Sequence, residues 1–158
     1  MADYSQNIVR KYKYWTVYVH SNQCYLGRCI IWCDREDAND LTDATEEEIT
    51  EFLQIIKDLK VAIEKSLSPD WMNYSFLGNT DKHLHCNMVP RYKSNKEFLG
   101  QTFEDSRYAE GLNWLEDKEF DTSDEIRQAI KNKIQENLKK YRAQKVLGHN
   151  VPKKYSLL

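Results

Sequence analysis

Nowhere in this chain of 158 residues does an apolar run approach the roughly 20 residues needed to span a bilayer. The opening stretch MADYSQNIVRKYK also lacks the apolar core of a secretory signal, so a cytoplasmic location is expected. Neither sign of charge dominates: the formal net charge is −2, which gives no general pull toward nucleic acid or membrane. The four cysteines, Cys24, Cys29, Cys33 and Cys86, never adopt the C-x-x-C spacing of a zinc ribbon or redox pair. Three of them lie in strand-like runs and read as buried, reduced thiols. There is no internal repeat and no low-complexity segment. The length suits one domain with a real core and is too short to expect two.

Strand and helix signals are plain. YWTVYVH (14 to 20) and YLGRCIIWC (25 to 33) are rich in β-branched and aromatic residues, and the turn-forming SNQC between them predicts an antiparallel hairpin. Thr45 followed by Glu48 is a capping box, and Ile49, Phe52, Leu53, Ile56, Leu59 and Ile63 recur at helical spacing, predicting a helix over about 46 to 66. NYSFLG (73 to 78) and HLHCNMV (83 to 89) form a second hairpin, with Pro90 as the stop. The stretch 94 to 121, with Phe98, Phe103, Tyr108, Trp114 and Phe120, reads as an ordered loop with a short strand. Thr122 and Glu125 repeat the capping spacing ahead of a second amphipathic helix over about 123 to 143. The order β-β-α-β-β-loop-α gives an α+β fold with an antiparallel sheet in one domain, 1 to 158. From 139 to 158 there are basic residues and no acidic one, a solvated or partner-clasping tail or else a phosphate-binding arm.

Chemistry concentrates in HLHCNMVPRY, residues 83 to 92. Alternation along a strand puts His83, His85 and Asn87 on one face and Leu84, Cys86 and Met88 on the other. Three readings fit this trio. Both histidines can be hydrogen-bonded structural residues. They can be two ligands of a zinc ion, although the other histidines, His20 and His149, are remote in sequence. Or one imidazole attacks phosphorus and forms a covalent phosphohistidine, provided an acceptor on its second nitrogen fixes the tautomer. Arg91 and Lys93, just beyond Pro90, would favour a phosphorylated substrate in that third case. Trp32 and Tyr14 are candidates for stacking on a base, though the aromatic residues also serve core and dimer packing.

HLHCNMV resembles the signature of the histidine triad (HIT) superfamily, His-φ-His-φ-His-φ-φ with φ apolar, except that Asn87 replaces the last histidine. NQCYLGRCIIW, LTDATEEEITEFLQIIKDL, NYSFLGN and VPRYK are similar, in order and spacing, to its diadenosine tetraphosphate hydrolase-like branch, over roughly residues 14 to 105. The resemblance implies a HIT-like fold in which His85 is the nucleophile toward the α-phosphorus of an adenine-type nucleotide, its tautomer set by the main-chain carbonyl of His83. The His83 side chain would support it. Asn22 would contact the ribose, and Asn79 and Thr80 the phosphates, alongside the cation Arg91 named above. Cleavage would fall on a phosphoanhydride or phosphoramidate. Asn87 can donate a hydrogen bond but cannot shuttle a proton, which leaves transfer to an acceptor, or nucleotide binding with weakened turnover, as alternatives. Many members carry a histidine just after the second strand where this chain has DRED, so Glu36 or Asp37 is expected to face His83. No cofactor is required, although magnesium could accompany a polyphosphate. A homodimer is implied in the same way.

Overall fold

The computed structural model describes residues 4 to 111, 120 and 122 to 148. Strands β1 (Ile8–Lys11), β2 (Trp15–Val19), β3 (Cys29–Cys33), β4 (Trp71–Ser75) and β5 (His85–Arg91) form one antiparallel sheet in the order β1-β2-β3-β5-β4. Helix α1 (Glu46–Leu67) connects β3 to β4, and helix α2 (Asp124–Val146) follows a small hairpin of β6 (Lys96–Phe98) and β7 (Gln101–Phe103). The class is the expected α+β with an antiparallel sheet. Among the described residues no helix is long and apolar enough to cross a membrane.

Register explains why the sheet has one dry face and one workable one. Val17 lies opposite Ile31, and Ile31 opposite Cys86; Val19 lies opposite Cys29, and Cys29 opposite Met88. Paired residues share a face, and these are all buried in one cluster with Phe52, Ile55, Leu59 and Ile63 of α1 and Ile130, Ile134 and Leu138 of α2. The alternate positions, Trp32 opposite His85 and Ile30 opposite Asn87, turn to the other face. All four cysteines are buried and none is in a disulfide; burial pushes the Cys29 and Cys86 thiols up to about 12. They are inert packing groups, not nucleophiles.

Helix α1 starts as its capping box dictates: Thr45 accepts from the Glu48 amide at 3.2 Å, while the Glu48 carboxylate accepts from the Thr45 amide at 2.8 Å. Its inner face includes Ile55, whereas the predicted Leu53 points outward and is 46% exposed. Asp58, 1% exposed, ties the two helices by accepting from Arg142 and Lys145, each at 2.8 Å. The α2 cap is Ser123, which accepts from the Ile126 amide, and not Thr122, which is buried one residue earlier.

Five other expectations need correction. An additional edge strand, β1, precedes the predicted hairpin. β4 begins at Trp71, before the predicted 73, and ends at Ser75. β5 begins at His85: the Leu84 carbonyl still accepts from the Cys33 amide at 3.1 Å, but the Leu84 amide donates outside the sheet, to the Ala38 carbonyl at 2.8 Å. Pro90 does not end β5. Pairing with β3 finishes at Met88, so Val89–Arg91 has a partner only in β4, and an edge-like segment tolerates a missing N–H. The 94 to 121 stretch holds two short strands joined at Leu99 and Gly100, both at positive φ, the conformation a two-residue hairpin turn requires. Trp114 lies outside the described residues, as do His149 and the end of the basic tail from 149 onward.

Candidate functional site

Two main-chain carbonyls organise the histidines. The Nδ1 of His85 donates to the carbonyl of His83 at 2.7 Å, and the Nε2 of His83 donates to the carbonyl of Cys33 at 2.7 Å. A carbonyl can only accept, so each contact identifies the nitrogen that carries the proton. His85 is left with the Nε2 lone pair directed away from its anchor, the state a nucleophilic imidazole needs. Trp32 steadies both rings: its centroid lies 4.1 Å from that of His83 and 5.4 Å from that of His85, with interplanar angles of 15° and 19°. Trp32 therefore serves the histidines with the face assigned above to a base.

The turn between β2 and β3 brings in groups the motif alone does not announce. Gln23 is fully buried and clamps that turn from within: its amide nitrogen donates to the carbonyls of His20 (2.7 Å) and Arg28 (2.9 Å), and its oxygen accepts from the Gly27 amide (2.8 Å). Gly27 adopts φ +83°, and a Cβ there would lie 2.4 Å from a methyl of Leu67. The chain then enters β3 with Arg28, which is buried and donates to Asn87 Oδ1 at 3.1 Å. A guanidinium has no acceptor, so the contact also fixes the amide orientation and leaves Asn87 Nδ2 as the opposite, donating end. Among the described residues Nδ2 makes no hydrogen bond.

His20 lies beside this cluster. Its Nδ1 accepts from the Asn22 amide at 2.9 Å, and its pKa is pushed down to about 3, first by burial, then by the charge of Arg28 and, to a smaller extent, by His85. It is a neutral imidazole at any physiological pH. Asn22 itself is part of the turn, its Oδ1 accepting from the Cys24 amide at 2.8 Å.

The remaining predicted residues divide. Asn79 and Thr80 are exposed on the connection between β4 and β5. Arg91 is spent inside the protein and leaves the phosphate-binding set. It is 2% exposed and pairs with Asp105 through Nε (2.6 Å) and one terminal nitrogen (2.9 Å), with further donations to Asn73 and to the carbonyls of Arg107 and Glu110. Those contacts engage all five N–H groups that a guanidinium carries. The carboxylates expected at His83 are elsewhere engaged or exposed: Asp37 pairs with Arg35 at 2.6 Å, Glu36 is exposed, and the Nε2 of His83 is held by Cys33. Among the described residues no cluster of three metal-binding side chains occurs.

No protein-family model matches the chain, and no curated protein does. Solved structures do. A histidine triad nucleotide-binding protein from Sulfolobus tokodaii superposes with a TM-score of 0.70 at 12% identity, covering 87% of each chain. A histidine triad protein from Sinorhizobium meliloti gives a TM-score of 0.66 at 14% identity, over 84% of this chain and 91% of the other. A uridylyltransferase gives a TM-score of 0.58 at 18% identity, over 85% of this chain and 42% of its own. Identities this low establish architecture alone, and the architecture of this chain is the histidine triad fold.

Proposed function

We propose that the protein is a nucleotide hydrolase in which His85 Nε2 attacks the α-phosphorus of an adenine-type nucleotide or dinucleotide, forming a nucleotidyl-histidine that water then opens. The observation that carries this reading is the 2.7 Å bond from His85 Nδ1 to the His83 carbonyl, which in the neutral ring places the proton on Nδ1 and leaves the Nε2 lone pair for attack. Support comes from the nucleotide-binding description of the Sulfolobus neighbour. His83 and Trp32 position the nucleophile, Asn87 hydrogen-bonds at the reacting phosphate, the His20–Asn22 turn borders the ribose end, and Asn79 and Thr80 take outer phosphate oxygens. The nucleophile requires no cofactor; magnesium bound to a polyphosphate substrate would travel with that substrate.

A second reading, transfer of the nucleotidyl group to an acceptor other than water, is favoured by Asn87, which has no proton to give near neutral pH, and by the uridylyltransferase among the structural neighbours. The same site without turnover would be a binding module. In either catalytic case the protein would act in the cytoplasm as a homodimer, for which the free edge of β4 is the candidate seam, with Trp71 65% and Tyr74 40% exposed.

One assay separates these outcomes. Wild type and His85→Ala are given diadenosine tetraphosphate or adenosine 5′-phosphoramidate in single turnover, following free nucleotide and acid-labile nucleotide on the protein. His85-dependent release marks the hydrolase, and bound nucleotide that persists until an acceptor is added marks the transferase. Nucleotide affinity with neither signal reduces the protein to a binding module.

A further inference from the structure

Among the described residues, the cluster facing His85 contains a charge but no acid. Asn87 cannot release a proton near neutral pH, and a guanidinium stays protonated above pH 12, so neither member of the Arg28–Asn87 pair can protonate a departing group. His20 does not fill the gap, because it is held neutral and its Nδ1 already accepts from the Asn22 amide. His83 has its Nε2 proton committed to the Cys33 carbonyl. Arg35 is engaged by Glu48 and Asp37, and Arg91 by Asp105. What the pair can do is electrostatic. Arg28 is 8% exposed and Asn87 6%, so a permanent positive charge sits largely out of water, with the Asn87 amide polarised toward whatever lies beyond Nδ2.

We infer that Arg28 is a positioning and specificity-determining residue, which orients Asn87 and supplies the fixed charge that lets this site expel only leaving groups stable as anions. The inference rests on His85 being the nucleophile and narrows what that nucleophile can displace. In the first step the Nε2 lone pair forms the P–N bond while the P–O bond to the leaving group breaks. The electron pair departs on the leaving oxygen, and the Nδ1 proton remains on the bond to the His83 carbonyl. No proton needs to cross from protein to leaving group. In the second step water attacks phosphorus, the P–N bond returns its pair to Nε2, and the proton of the water passes to solvent. Phosphate and diphosphate oxygens leave readily on these terms. An amine or an alkoxide, which needs a proton as its bond breaks, does not. Anhydrides are therefore the substrate class, and phosphoramidates are excluded by chemistry rather than by fit.

The test uses the full chain and a series of AMP derivatives differing only at the leaving group: ADP, phenyl esters with ring substituents that grade the acidity of the phenol, and adenosine 5′-phosphoramidate. Nucleotidyl-enzyme formation is followed in single turnover for wild type, His85→Ala, Asn87→His and Arg28→Gln, with circular dichroism checking that each variant folds. For the wild type the rate should fall roughly tenfold per unit rise in leaving-group pKa, with the phosphoramidate at least about 100-fold behind ADP. Asn87→His should flatten the series and restore the phosphoramidate. Arg28→Gln should slow ADP about 100-fold, as loss of one preorganised charge does, without reducing binding of AMP to the same extent.

A wild type that cleaves the phosphoramidate as fast as ADP, through His85, overturns the inference while leaving the nucleophile in place. So does a slope that neither variant changes. Absence of His85-dependent labelling across the whole series overturns the nucleophile as well. Should Arg28→Gln not fold, the Asn87→His slope alone decides.

Discussion

Lowering the pH from 7 to 5 should remove about 2 kcal/mol of folding stability through one side chain, His20. In the folded protein its pKa is about 3, because burial and the nearby Arg28 charge both oppose an imidazolium there, whereas the ordinary value is 6.5. Below pH 6.5 the unfolded chain therefore takes up a proton that the folded chain refuses. The associated stability is complete above that pH and is lost as the pH falls toward 3. The slope inside the window is about 1.4 kcal/mol per pH unit, and the half-unit above 6.5 contributes little, which integrates to about 2 kcal/mol by pH 5. His20→Asn isolates this effect, since an amide oxygen can accept from the Asn22 amide in place of Nδ1 and does not titrate. Urea unfolding of both proteins at pH 7 and pH 5 supplies the comparison, and carboxylates common to both cancel in the difference. Wild type should lose about 2 kcal/mol more than the variant between the two pH values. Equal losses would refute the claim that the fold holds this half-buried ring neutral.

Asp58→Ala should cost about 2 kcal/mol and loosen α2 first, because the carboxylate that receives both Arg142 and Lys145 is removed; hydrogen exchange along 124 to 146 reads it. Gly27→Ala combines a disfavoured φ of +83° with a clash on Leu67, so a loss of about 2 kcal/mol and a weaker His85 reaction should appear together, in urea unfolding and in single-turnover labelling. If the β4 edge is the dimer seam, Trp71→Arg should convert the protein to monomer in sedimentation analysis; an unchanged dimer would place the seam elsewhere.

The parts of the fold visible in the sequence are those written locally. α1 carries its own capping box and periodic face, and β2 and β3 carry dense β-branched and aromatic runs around a turn. β1 escaped notice because IVRK is only a four-residue edge strand whose pairing is interrupted by a bulge. The site divides along the same line. The carbonyl anchor of His85 comes from a residue two positions away and follows from strand geometry. Arg28 meets Asn87 across 59 positions of sequence, and that contact depends on β3 lying beside β5. Arg91 misled for the converse reason: a cation next to the motif reads as a phosphate ligand until Asp105, from beyond β7, is seen to hold it.

Hydrogen bonding the histidines through carbonyls rather than side chains has an evolutionary consequence. Every residue type contributes a carbonyl, so the acceptors on His83 and His85 survive any single substitution at Cys33 or at position 83 that keeps the backbone in place. On the proposed mechanism the attacking group is thereby insulated from mutational drift. The contact between Arg28 and Asn87 has no such insurance, because two side chains make it. On that mechanism a lineage could exchange those two and change which bond is broken while inheriting the same nucleophile intact.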